Sequence, residues 1–170
     1  TIACMLNQTL DDLEVICIDD GSNDGTLEIL LEEAEKDPRI SVFTQENSGQ
    51  SASRNVGMTA ARGKYLYFID SDDLLDEQAL ELCCQATERD NLDMFLFDAT
   101  SFYESEKLHS EHATYDTYYT RARDYEEVMD GPHMMAAMAK AGDYLPSPCL
   151  YIAKTDYVRG IDAAFISGIF

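Results

Sequence analysis

The chain has no tryptophan, four prolines, three histidines and only 12 lysines and arginines among its 170 residues. The shortage of cations excludes most. Against those 12 stand 33 aspartates and glutamates, a formal charge of -21. A chain so acidic repels a phosphate backbone, which rules out a nucleic-acid partner and any basic footprint for an anionic membrane surface. The five cysteines (Cys4, Cys17, Cys83, Cys84, Cys149) are odd in number, include an adjacent pair and form no C-x-x-C, so neither a disulfide framework nor a zinc site is indicated and a reducing compartment fits. Cys17 lies in an apolar run and Cys83 on a helical stripe, the places of small buried hydrophobes rather than reactive thiols. No apolar run approaches the roughly 20 residues of a membrane span, and Thr1 to Gln8 lacks the basic start and long apolar centre of a signal peptide. The expectation is a cytoplasmic protein with no transmembrane segment, at most peripheral at the inner face of a membrane.

What is present suffices for one domain with a real core: 45% of residues are apolar and 10% aromatic. Leu13 to Ile18 is a nearly continuous apolar run closed by Asp19-Asp20-Gly21-Ser22, the pattern of a strand buried on both faces. A helix follows, with Asp24 as N-cap and Leu27, Leu30, Leu31 and Ala34 on one stripe, until Asp37-Pro38 stops it. Ile40 to Thr44 reads as a strand, Ser51 to Ala61 as a short helix of small residues, Tyr65 to Ile69 as a strand, Glu77 to Arg89 as a helix with Ala79, Leu82, Cys83 and Ala86 inward, and Asp93 to Asp98 as a strand. This alternation predicts an α/β fold with a mostly parallel sheet flanked by helices and a ligand crevice beyond the carboxyl ends of the strands. Beyond Ala99 the pattern weakens. Tyr115 to Thr120 alternates as a strand would, Met134 to Ala141 is helical, and Tyr151 to Ala153 reads as one more strand.

Chemistry gathers at two strand ends. Asp70, Asp72 and Asp73 crowd three carboxylates directly after Tyr65 to Ile69, and such a group must hold a hard cation, protonate a member or stay in water. In an extended Asp-x-Asp both side chains point the same way, so Asp70 and Asp72 suit one shared ion. Oxygen ligands with no histidine nearby favour Mg²⁺ or Mn²⁺, which would also let so acidic a chain accept a phosphorylated substrate. An acidic turn that is merely solvated is the plain alternative. Asp19-Asp20 places a second acidic pair at another strand end, with a helix-entry turn as its structural explanation. Arg54 stands in the short helix after a glycine-containing loop, in reach of a diphosphate or a neighbouring Asp, or of an ordinary surface ion pair.

The segments Asn-Gln-Thr-Leu (7 to 10), Asp-Asp-Gly-Ser-Asn-Asp-Gly (19 to 25), Asn-Ser-Gly-Gln-Ser-Ala-Ser-Arg-Asn-Val-Gly (47 to 57) and Ala-Arg-Gly-Lys-Tyr followed by Phe-Ile-Asp-Ser-Asp-Asp (61 to 73) strongly resemble the family 2 glycosyltransferases, in order and at family spacing over about the first hundred residues. The resemblance implies a GT-A fold, Rossmann-like, and transfer of a sugar with inversion from a nucleotide-diphosphate donor, a UDP-sugar by family habit, assisted by Mn²⁺ or Mg²⁺. It implies one glycosyltransferase domain over 1–170, with a nucleotide-sugar-binding half (1–100) and an acceptor-side half (101–170). Carried over by position, Asp20 binds the nucleoside with Asp19 beside it, Arg54 lies near base or diphosphate, Asp70 near ribose or metal, and Asp72 ligates the metal. Asp73 has no firm counterpart. The acceptor it implies is a bacterial surface polysaccharide (cell wall or capsule) or a lipid-linked glycan. The catalytic base in relatives often follows a stretch resembling Ile166 to Phe170, so it is expected beyond Phe170, and Asp143, Asp156 and Asp162 stand in no matching motif. Thr1 to Gln8 resembles the end of the family's first helix, so the family's opening central strand is missing and the sequence is expected to be a piece of a longer chain. Two rival readings remain: a receiver-type domain phosphorylated on Asp70, and a noncatalytic sugar-nucleotide-binding domain.

Overall fold

The computed structural model describes residues 1–125 and 127–166. The first hundred residues run α1 (Ile2–Leu6), β1 (Val15–Asp19), α2 (Thr26–Lys36), β2 (Ile40–Thr44), α3 (Gln50–Ala60), β3 (Tyr65–Tyr67), α4 (Ala79–Arg89) and β4 (Met94–Leu96). The second half contributes α5 (Glu106–His112), α6 (Gly131–Ala141), β5 (Tyr151–Lys154) and α7 (Thr155–Gly160), with 3-10 turns at Ala113–Tyr115 and Pro148–Leu150. β1 and β2 pair in parallel, Val15 opposite Ile40 through Asp19 opposite Thr44. β5 lies between β3 and β4 and runs against both, so β3 and β4 run the same way. The described strands thus form two sheets, β1-β2 and β3-β5-β4, and the last strand in sequence joins β3 to β4.

The ladder of β3 stops at Tyr67, two residues short of the predicted Ile69, because Tyr67 pairs with Ile152 and the chain before Tyr151 leaves the sheet through the Pro148 turn. β3 therefore hands over to Asp70 through unpaired backbone. The main core packs Met5, Val15, Ile40 and Leu80 around Tyr67 and Ile69. On α2, Leu27, Leu30 and Ala34 face inward as predicted, but Leu31 is half exposed. On α4 the buried stripe is Leu80, Cys83 and Thr87, one step round from the predicted one, and Leu82 is exposed. Thr87 is tolerated there because its hydroxyl donates to Cys83 O at 2.7 Å, satisfying the polar group within the helix.

Tyr115 to Thr120 is not the predicted strand. Tyr115 and Tyr118 pack ring on ring at 5.6 Å and Tyr118 meets Tyr119 edge to face at 4.9 Å, a spacing of three that suits a tight turn and not an extended chain. α5 follows Ser105, whose hydroxyl accepts from Leu108 N, a cap signal that the polar composition of the segment hides.

Gln8, from the first motif, is buried and has a structural duty. Its amide donates to Asp76 O at 2.7 Å and Cys4 O at 3.2 Å and accepts from Leu80 N at 3.1 Å, so it caps α4 from the end of α1. Gln8→Ala leaves one buried and two part-buried backbone groups without this partner and is expected to lower unfolding stability by about 1–3 kcal/mol, read by urea denaturation.

Candidate functional site

The exits of β1, β2 and β3 and the start of α3 meet at one edge of the fold. Asp19 ends β1 and is 3% exposed; its carboxylate accepts from Ser22 N at 3.3 Å and Thr44 Oγ1 at 3.1 Å. Hydrogen bonding from Ser22 leads the causes that hold its carboxyl below the usual value. Asp20 turns to the neighbouring loop: Gln45 Nε2 donates to it at 2.6 Å, Ser48 N at 2.9 Å and Gly49 N at 2.8 Å. These donors, Gln45 first, hold the Asp20 carboxyl low as well, so it stays ionised at neutral pH. The two turns touch at Gly21, where φ is +76° and an added Cβ would sit 2.9 Å from Asn47 N. Asp24 bonds Thr26 N from one residue before the cap; Gly25, at φ 85°, occupies the N-cap itself.

α3 begins on that loop. Gly49 is its N-cap and gives the first-turn N–H groups no side-chain partner. Its side chains meet the second acidic group: Arg54 donates to Asp70 Oδ1 at 2.8 Å and Gln50 Nε2 to the same oxygen at 3.2 Å. Arg54 is 12% exposed and Asp70 39%, an ion pair sheltered on the arginine side. One turn of helix therefore joins the Asp20 loop to Asp70, which the sequence pattern had placed at the same end of the sheet without a physical link.

The three carboxylates after β3 part company. Oxygens of Asp70 and Asp73 and Cys149 Sγ lie within 4.8 Å of one another. Asp72 is exposed, and among the described residues its carboxylate makes no hydrogen bond or ion pair. Burial first, then the charges of Asp70 and Asp72, push the Asp73 carboxyl up. Burial pushes the Cys149 thiol up to about 11, so it stays protonated. Cys149, Gln45 and Gln50 were given no site role by sequence, and Asp73 no firm one: a glutamine and a buried cysteine give no pattern until the fold sets them beside a carboxylate. Two clefts of about 490 and 170 Å³ lie beneath α7 instead and involve none of Asp19, Asp20, Asp70, Asp72 and Asp73.

Asp143, Asp156 and Asp162 stand apart from this edge. Asp143 is buried and accepts from Ala122 N at 3.0 Å and Tyr125 Oη at 2.8 Å. Asp156 opens α7, whose first residue bonds Lys64 O at the opposite end of β3, and Asp162 lines the larger cleft.

This arrangement of sheet, helices and strand-end carboxylates is the GT-A glycosyltransferase fold. Crystal structures of Staphylococcus aureus TarS superpose with a TM-score of 0.70 for the UDP complex, at 22% identity, covering 97% of this chain and 45% of that one. Residues 1–143 match the glycosyl transferase family 2 profile, and the chain belongs to that family. Among curated relatives are the glycosyltransferase GlyA of Streptococcus pneumoniae, 33% identical over 74% of this chain and 18% of its own length, and the cholesterol galactosyltransferase of Borreliella burgdorferi, 45% identical over 52% of this chain and 25% of its own. The Escherichia coli chondroitin synthase is 44% identical over 50% of this chain and 12% of its own length. The chain thus spans a quarter or less of these relatives. Family membership decides against the receiver-type reading of Asp70.

The pH dependence of stability tests the crowding. Because the folded protein disfavours ionised Asp73, its contribution is full below the unfolded carboxylate value near 3.9 and is lost as pH rises through the higher folded one. In metal-free buffer Asp73→Asn, which cannot ionise, is expected to melt above the unmodified protein at pH 7 and to lose that advantage as pH falls toward 4.

Proposed function

We propose that this domain transfers a sugar, with inversion, from a UDP-sugar to an acceptor hydroxyl, assisted by Mn²⁺ or Mg²⁺. One observation carries the reading: the sheltered Arg54 guanidinium is fixed on Asp70, two residues before Asp72, whose exposed carboxylate has no partner among the described residues. A guanidinium next to free carboxylates suits a diphosphate and the cation that accompanies it. The TarS structures with UDP and with UDP-GlcNAc, at 22% and 21% identity, share the fold and support a uridine donor.

The donor set fits a hard divalent ion. It offers crowded carboxylate oxygens, and the nearby Cys149 thiol is protonated and offers no thiolate. Asp72 and Asp70 would hold it, and when bound it supplies positive charge against the departing nucleoside diphosphate. Arg54 and the open first turn of α3 orient the diphosphate. Asp20 holds the 45–49 loop that forms the nucleoside side, with Asp19 anchoring the exit of β1 behind it. The proton of the attacking hydroxyl goes to a carboxylate base outside the described residues, since Asp143 is buried in bonds of its own and Asp156 and Asp162 lie at the far end of β3. We place the acceptor, a surface polysaccharide or lipid-linked glycan, against the 101–170 half, and the protein in the cytoplasm, where nucleotide sugars are made. A noncatalytic sugar-nucleotide-binding role uses the same contacts but needs no base.

UDP is expected to bind only with Mn²⁺ or Mg²⁺ in titration calorimetry. Asp72→Asn is expected to abolish that binding and Arg54→Ala to weaken it about tenfold or more, the scale of losing a charge-assisted hydrogen bond. Metal-dependent binding unchanged in Asp72→Asn would refute its role, and a donor screen following UDP release separates transferase from binder.

A further inference from the structure

Arg54 is held by more than Asp70. Its guanidinium carbon lies 5.4 Å from the ring centroid of Phe165, more than a hundred residues later in the chain. The same ring meets Phe68 edge to face, with centroids 5.1 Å apart and planes at 84°. Phe68 leads from β3 to Asp70, so the ring fills the angle between the two elements that carry the ion pair. The backbone of Phe165 is fixed as firmly. Asn55, the residue after Arg54, donates through Nδ2 to Phe165 O at 2.8 Å and accepts from Phe165 N at 2.8 Å. One amide thus satisfies both polar groups of a segment with no ladder of its own, as a paired strand would.

The consequence for Arg54 is conformational. A long cationic side chain has many rotamers and, in a chain with 33 carboxylates, many places to go. Asp72 and Asp73 are within two or three residues of its partner. An Arg54 that swung onto either would spend the carboxylates that a cation needs and leave Asp70 without its counter-charge. A π face beneath the guanidinium, with Phe68 behind it, favours the one rotamer that reaches Asp70.

We propose that Phe165 is a positioning residue for Arg54, latched by Asn55, so that the segment after α7 sets the geometry of the donor diphosphate site. This rests on the reading of Arg54 and Asp70 as donor-binding groups. Two readouts keep the inferences separable. Without any ligand, the side-chain N–H and methylene NMR signals of Arg54 are expected to carry ring-current shifts that collapse toward free-arginine values in Phe165→Leu and persist in Phe165→Tyr. With UDP and Mn²⁺, Phe165→Leu is expected to lose about tenfold in affinity and Phe165→Tyr to stay within about twofold, the face of the ring and not its volume being what matters. In a double-mutant cycle, Phe165→Leu is expected to add nothing once Arg54 is replaced by Met. Unshifted Arg54 signals in the unmodified protein, or equal losses from Phe165→Leu with and without Arg54, would overturn the positioning role. Shifted signals in a protein that binds no UDP would overturn the donor reading and leave the latch standing.

Discussion

The rest of the site depends on one ion pair, Arg54 on Asp70. In a protein of charge -21 the carboxylates after β3 crowd together, and burial first, then the charges of Asp70 and Asp72, raise the carboxyl value of Asp73. On Asp70 a guanidinium and the Gln50 amide both point at the same oxygen. With Asp70 held in place, Asp72 stays exposed, with no partner among the described residues. A single cation from the protein thus divides three adjacent carboxylates into one that is held, one that turns inward toward Cys149 and one that remains open.

The pair can form only because α3 starts where it does, and Asp20 sets that start. Its carboxylate gathers Gln45, Ser48 and Gly49 into a turn, which aims the first turn of α3 across the strand ends. Gly21 lets the two loops approach to a distance that no Cβ would permit. An acidic residue that sequence alone assigns to a ligand is therefore first a piece of local architecture. The two duties are compatible, since a carboxylate that orders backbone N–H groups also fixes the surface on which a nucleoside lies.

How much of this was legible follows from the range of the forces involved. The first hundred residues carry strong local signals: β2 matched its apolar run, α2 stopped at Asp37 before Pro38, and the acidic turns fell at strand ends as predicted. Where the reading failed, the deciding partner was distant for the strand and local for the helix and the tyrosines. Tyr67 ends β3 because β5 diverges there, some eighty residues later, and α4 turns its face by one step because Thr87 satisfies itself on Cys83. The tyrosine-rich segment alternates like a strand, yet ring packing at a spacing of three folds it into turns. The candidate site behaves the same way. Its acidic and basic members were legible as residue types in motifs, whereas Gln45, Gln50, Cys149 and Phe165 acquire meaning only from what the fold places beside them.

That contrast bears on how the two halves of the chain are related. β5 is the sheet partner of both β3 and β4, and Asn55 binds the backbone of Phe165, so the second half completes the strands and the helix that carry Asp70 and Arg54. Local order in residues 1–100 would give α3, its arginine and the acidic turns, but not the ladder that ends β3 at Tyr67 or the ring that shelters Arg54. A boundary near residue 100 therefore divides sequence motifs rather than independently organised structure. The geometry of Asp70 depends on contacts made more than eighty residues downstream, and any change that shifts β5 or the segment after α7 reaches Arg54 and Asp70 through the same two elements.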